Sequence, residues 1–313
     1  MTKRTFFWVA GIFLFLIFGC IALFVISTMG AGSGITLDVE GDAVALVRVE
    51  GAILPGRGNN SNPFDVTSGA YSTTIIEHLQ QANENDQVKA VVLFVDSPGG
   101  SVYASDEIAL QLTQMDKPVL SAMGSMSASG GYYISAPTDE IWASPHTLTC
   151  SIGVIAQFIN YDDLAAQFGV KNIVFKSGDN KDMGSPFREV TDEEAAIWQA
   201  MIDEAYDAFV DVVAEGRGLP EEDVRAIADG RICTGKQAQE MQLVDSMGYL
   251  PDVIQRAGEL AGIEGDPPLI EYTNEPGFLD MFNSMMSRPS PVTEVRELLN
   301  SRSGAMLMYL YSQ

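Results

Sequence analysis

The sequence predicts an α/β fold, with helices packed on the faces of a strand layer, set behind one N-terminal membrane span. Three observations predict it. Val88 to Val95 is an unbroken apolar run of strand length, and Val102 to Met115 behind it has helical spacing, so the two make a β-turn-α unit. Strand-like and helix-like segments then go on alternating from Ala43 to Ile254. Phe6 to Ile26 carries no charge and, at about 1.5 Å per helical residue, is long enough to cross a hydrocarbon layer of roughly 30 Å.

The span comes first in the chain. Lys3 and Arg4 precede it and Asp38, Glu40 and Asp42 follow, so the positive-inside rule leaves residues 1–5 in the cytoplasm and exports the rest. It is longer than the roughly 7–15 apolar residues of a signal-peptide core, which favours an uncleaved anchor over 6–27. Cys20 reads as an ordinary residue of that span. A Gly-rich linker, 28–42, leads to a strand over Ala43–Leu54 that Pro55 and Gly56 close. Tyr71–Asn83 reads as a helix, Lys117–Met123 as a strand, Ala128–Ala136 as a buried helix, and Glu140–Ala143 and Ser151–Ala156 as further strands. Asn160–Phe168 is expected to be helical and Ile173–Phe175 a strand. Thr191 to Glu194 form a capping box that opens a long amphipathic helix to Gly216, and Pro220 and Gly235 start shorter ones. The folded domain is expected over 43–272 and a C-terminal extension over 273–313, whose apolar end, Ala305–Leu310, reads as a satellite helix.

The 313 residues are 46% hydrophobic and 19% charged, which leaves room for a packed core and excludes a disordered or collagen-like chain. Eighteen basic against 42 acidic side chains give a net charge of −24, a field that repels phosphate backbones and argues against a nucleic-acid partner. Cys20, Cys150 and Cys233 are odd in number and widely spaced, without a CxxC or Cys/His cluster, and predict neither a disulfide framework nor a metal site. His78 and His146 are the only histidines. His78 sits among Gln and Asn on a predicted helix and reads as solvated, and His146 lies on a turn with no acid partner, so a Ser-His-Asp triad has little to be built from.

Two segments have the composition of reactive turns. Asp96-Ser97-Pro98-Gly99-Gly100-Ser101 joins a buried strand to a helix, and its glycines leave backbone N–H groups free where negative charge would develop. Gly124-Ser125-Met126-Ser127-Ala128-Ser129-Gly130-Gly131 has the same small-residue character and offers three serines as nucleophiles. Two such turns about thirty residues apart are placed to face one another and supply paired oxyanion donors. Spacing alone does not choose among the serines, nor among Lys171, Lys176 and Lys181 as a base neutralised by desolvation.

The run SAMGSMSASGGYYISAPTDEIWASPHTLTCSIGV, Ser121 to Val154, closely resembles the signal peptide peptidase A (SppA) family of membrane-anchored serine proteases. So do VVLFVDSPGGSVYASDEI before it and FKSGDNKDMGSPFREVT and ADGRICTGKQAQEMQLVDSMG after it, in the family's order, over about Val44 to Ile254. The resemblance implies a ClpP/crotonase-like fold of repeated β-β-α units. It places the nucleophile of the Ala-Ser-Gly-Gly motif on Ser129 and the general base of the Ser-Gly-x-x-Lys-Asp stretch on Lys181. It also implies an oxyanion hole from the N–H groups of Gly100 and Gly130, and a supporting hydrogen bond to the lysine from Ser151. Cys150 departs from the glycine common before that serine, and a positive φ there would strain it.

The activity implied is peptide hydrolysis through an acyl-enzyme, with no metal or organic cofactor. The implied substrates are remnant signal peptides and other unfolded apolar peptides, met at a bacterial inner membrane by a catalytic domain on its outer side. The resemblance also implies a homo-oligomeric ring in which neighbouring subunits can share one site. Three rivals stand beside this reading: an acyl-CoA enzyme on the same fold, an inactive membrane scaffold, and a protease that uses His146 in place of Lys181.

Overall fold

A computed structural model describes residues 41–58, 69–273 and 308–310 of the chain, all within one compact unit, 39–313. The expected span over 6–27 lies outside the described residues. Among the described residues, no helix is long and apolar enough to cross a membrane.

The elements follow the expected alternation. Strand β1 (Ala43–Glu50) runs on past Gly51 into β2 (Ala52–Leu54), and β3 (Gly69–Tyr71) leads into helix α1 (Ser72–Glu84). Strand β4 (Val88–Ser97), the short β5 (Gly99–Ser101) and helix α2 (Val102–Thr113) form the predicted β-turn-α unit. Next come β6 (Val119–Ser127), the one-turn helix α3 (Gly130–Ser135), β7 (Glu140–Ala143) and β8 (Leu148–Cys150). Helix α4 (Asp162–Gln167) and a 3-10 turn (Asp179–Asp182) lie on an extended arm before the long α5 (Asp192–Arg217). The remainder is α6 (Glu221–Ile227), β9 (Ile232–Thr234), α7 (Gly235–Glu240), β10 (Ser246–Met247), α8 (Leu250–Leu260), β11 (Leu269–Tyr272) and β12 (Met308–Leu310).

The main sheet has the order β10-β7-β6-β4-β1-β11, and every pair along it is parallel. Alternation along β1 shows why both faces are covered. Ala43, Ala45, Val47 and Val49 join a core with Ile75 and Leu79 of α1 and Ile108 and Leu112 of α2, while Val44 and Leu46 face Val253 and Ala257 of α8. A third cluster packs Phe209, Val210 and Val213 of α5 on Tyr132 and Tyr133 of α3. A smaller sheet, β12-β5-β2-β3, has β12 antiparallel to β5, with Tyr309 opposite Gly100.

Five expectations are corrected. Ser151–Ala156 is not a strand: β8 ends at Cys150, because Cys150 and Ser151 both take left-handed backbone with φ of 65° and 53°. Ile173–Phe175 is not a strand either, since it lies exposed with no neighbour to pair with among the described residues. Met308–Leu310 is a strand where a helix was expected, because the edge of β5 offers it a backbone partner. His78 is buried rather than solvated, its ring 6.2 Å from that of Tyr272 on β11. Cys150 and Cys233 form a disulfide, although 83 residues separate them, because β8 and β9 pair antiparallel.

Candidate active site

The two glycine-rich turns meet at the carboxyl ends of β4 and β6. Asp96 closes β4 on β6: its Oδ1 accepts from Ser125 Oγ at 2.8 Å and from the Met126 N–H at 2.9 Å. The Ser97 carbonyl accepts from the Ala128 N–H at 3.1 Å, and Ser97 Oγ accepts from the Gly99 N–H at 3.0 Å. The start of the turn after β4 is therefore held by the segment that delivers Ser129, and the turn is closed on itself by Ser97. Ser101 then caps α2 by accepting from the Ala104 N–H.

Ser129 stands at the N-cap of α3 with φ 56° and ψ −118°, a conformation rare for a residue with a side chain. It is 1% exposed. Its N–H donates to the Cys150 carbonyl at 2.8 Å and its carbonyl accepts from the Tyr133 N–H at 2.8 Å, so hydrogen bonds on both sides hold the strained backbone. Gly130 follows at such close quarters that a Cβ there would lie 2.7 Å from Ser105 Oγ and 3.1 Å from the Gly100 nitrogen. A Cβ on Gly100 would lie 2.0 Å from the Ile53 carbonyl oxygen. At Gly100 only glycine fits, whereas at Gly130 a methyl group would have to displace the Ser105 hydroxyl; the two backbones approach each other because neither carries a side chain.

Of the expected site residues, Ser129, Gly100 and Gly130 are brought together, and Ser151 lies one residue beyond the carbonyl that holds the Ser129 N–H. Ser151 is buried, and its own N–H donates to the Arg231 carbonyl at 2.8 Å. Lys181 is not among them. It is exposed on the 3-10 turn, and no hydrogen bond joins it to Ser129 or Ser151 within one chain. His146 is exposed on the turn between β7 and β8, likewise without a hydrogen bond to Ser129.

The arm that bears Lys181 is fastened at its base. Asp182 accepts from Lys176 Nζ at 2.9 Å and from Arg188 at 2.8 Å, and Arg188 also pairs with Glu194 in the first turn of α5. Arg188 first, then Lys176, holds the Asp182 carboxyl well below the usual range. Arg188, then the Thr191 N–H, pulls Glu194 down to about 2. Beyond this base the arm is apolar and open to solvent: Phe168, Ile173 and Phe175 are all exposed, Phe175 at 95%. Asp96, which ties β4 to β6, and Cys233, bonded to Cys150, adjoin the site without having been picked out as site residues, and neither was the Asp182-Arg188-Glu194 linkage that fastens the arm. Only the capping box hinted at the last of them.

The model of peptidase family S49 matches residues 111–264 and that of Clp protease residues 65–148. A protein of Enterococcus faecium called "Putative signal peptide peptidase SppA" is 42% identical over 64% of this chain and 59% of its own length. A protein of Synechocystis called "Putative protease" is 43% identical over 68% of this chain and 78% of its own. Protease 4 of Salmonella typhi is 34% identical over 85% of this chain and 41% of its own.

Proposed function

This chain belongs to peptidase family S49, and on that premise we propose that it is a serine endopeptidase with Ser129 as nucleophile and Lys181 as general base. The carrying observation is the pairing of a buried, left-handed Ser129 with the Gly99-Gly100 turn. A peptide carbonyl attacked by Ser129 Oγ would place its oxygen toward the N–H groups of Gly100 and Gly130, which act as preorganised donors to the developing oxyanion. The acyl-enzyme formed when the amine leaves is hydrolysed by water, with the same base. The antiparallel seating of Met308–Leu310 on β5 supports a peptide substrate, because an extended backbone is accepted alongside Gly100.

Lys181 reaches a serine from an adjoining copy in this reading. A base must be uncharged to take the serine proton, and burial between subunits would strip the solvent that favours its charged form. The charge on Asp182 is already answered by Arg188 and Lys176. The rate is expected to rise toward alkaline pH. Ser151 supports the lysine by a hydrogen bond made in the assembly. The match to the Clp protease model supports a ClpP/crotonase-like reading of the parallel α/β fold and a ring of subunits. The uncharged run Phe6 to Ile26 would anchor the domain on the outer side of a bacterial membrane, where it would meet remnant signal peptides and other apolar peptides.

Labelling the detergent-solubilised chain with a fluorophosphonate serine probe tests the core of this. Wild type is expected to label at Ser129 and to cleave an unfolded peptide. Ser129→Ala is expected to do neither, and Lys181→Ala to lose on the order of 10³-fold or more in turnover. Thioester hydrolysis that survives Ser129→Ala would point instead to acyl-CoA chemistry.

A further inference from the structure

The Cys150–Cys233 disulfide lies one hydrogen bond from the candidate nucleophile. Cys150 ends β8, Cys233 sits on the antiparallel β9, and their Cα atoms are 5.5 Å apart. The two residues are 3% and 5% exposed. The Cys150 carbonyl is the acceptor for the Ser129 N–H, and Cys150 and Ser151 are consecutive left-handed residues, neither of them glycine. Side chains persist in that region only where the surroundings leave no alternative. The constraints here are the antiparallel pairing of Cys150 with Ile232, the Ser151 N–H on the Arg231 carbonyl, the Thr149 hydroxyl on the Ser127 carbonyl at 2.7 Å, and the sulfur bridge. Only the bridge acts on Cys150 through its side chain.

We propose that the Cys150–Cys233 disulfide is a positioning element of the active site, clamping the left-handed Cys150–Ser151 pair so that the Cys150 carbonyl holds Ser129 in its reactive conformation, and that its reduction lowers turnover. The inference rests on Ser129 being the nucleophile. Reduction needs a dithiol. One of its thiolates attacks a sulfur of the bridge to give a mixed disulfide, and its second thiol resolves this. Cys150 and Cys233 are left as thiols, and the dithiol, having given up two electrons and two protons, becomes a cyclic disulfide. Unclamped, Cys150 is free to relax to negative φ, which swings its carbonyl away from the Ser129 N–H and shifts Ser151.

The test compares the full chain in detergent as oxidised wild type, as dithiol-reduced wild type with thiols counted by alkylation and mass, and as two double variants. Cys150→Ala/Cys233→Ala loses the clamp and keeps the strain. Cys150→Gly/Cys233→Ala loses the clamp but needs none, since glycine accepts positive φ freely. The alanine pair and the reduced protein are expected to lose about tenfold to a hundredfold in kcat with KM within about twofold. The glycine pair is expected to recover most of that, and reoxidation to restore the wild type. A glycine pair as slow as the alanine pair overturns the proposal. So does an alanine pair, or a reduced wild type with both thiols free, that keeps full kcat while only its thermal midpoint falls. If neither double variant folds, the reduced wild type decides alone. Failure of the peptidase reading looks different: the oxidised wild type would then neither cleave peptide nor label at Ser129.

Discussion

Gly130 and Gly100 look alike in sequence and should fail differently when a methyl group is added. At Gly130 the new Cβ presses on Ser105 Oγ and the Gly100 nitrogen, the point where the two turns meet. Gly130→Ala is therefore expected to fold and to lose on the order of 10²–10³ in kcat, the usual cost of one misplaced oxyanion donor, as steady-state kinetics would show. At Gly100 the Cβ would run into the Ile53 backbone, so Gly100→Ala breaks the pairing of β5 with β2, and its defect would appear as a lowered thermal midpoint. The two turns were legible because paired glycines follow each strand run, as a tight turn with free N–H groups requires, and the resemblance then singled out Gly100 and Gly130. The disulfide was not, because no local pattern marks two cysteines 83 residues apart as neighbours. His78 misled because Gln80, Gln81 and Asn83 follow it on the helix, whereas in the fold it is buried with its ring 6.2 Å from that of Tyr272 on β11.

The junction of the arm with α5 sets a pH limit on the fold. Glu194 is buried and paired with Arg188, which with the Thr191 N–H lowers its carboxyl from 4.5 to about 2. The folded state therefore favours the ionised form, and the stabilisation is complete above the ordinary glutamate value and lost as pH falls from there through about 2. Asp182, depressed by Arg188 and then Lys176, adds in the same direction. Thermal unfolding of wild type is expected to weaken over that acid interval, and Glu194→Gln, with no charge to lose, to show a flatter dependence there. A wild type with a level midpoint from pH 5 to 2 would remove the ion pair from the account. The helix itself was readable because capping chemistry is local: the Thr191-to-Glu194 box is present as expected, and Arg217 is followed by a left-handed Gly218. The parallel strands were readable as runs apolar on both faces, such as β4. The arm was not. Ile173-Val174-Phe175 is apolar like a strand, but no partner for it lies among the described residues, so strand composition ends in exposed chain.

That exposed arm is best explained at the scale of the whole molecule. Phe168, Ile173 and Phe175 are 78%, 74% and 95% exposed around the turn that carries Lys181, apolar surface that association with another copy would cover. Lys181 makes no hydrogen bond to the serine of its own chain, so a site completed by a neighbouring copy accounts for both observations at once. Complementation separates the possibilities. Ser129→Ala and Lys181→Ala chains are each expected to be inactive alone. Co-expressed in equal amounts and assembled at random, they would give about a quarter of sites with both an intact serine from one subunit and an intact lysine from the next. Turnover per chain should therefore recover to roughly a quarter of wild type if the dyad spans two copies. If each chain supplies its own pair, no subunit in the mixture holds both groups, and recovery is nil. The same preparations, diluted below the assembly threshold, should lose the regained activity, and a mixture that stays active as separated monomers would rule out the shared site.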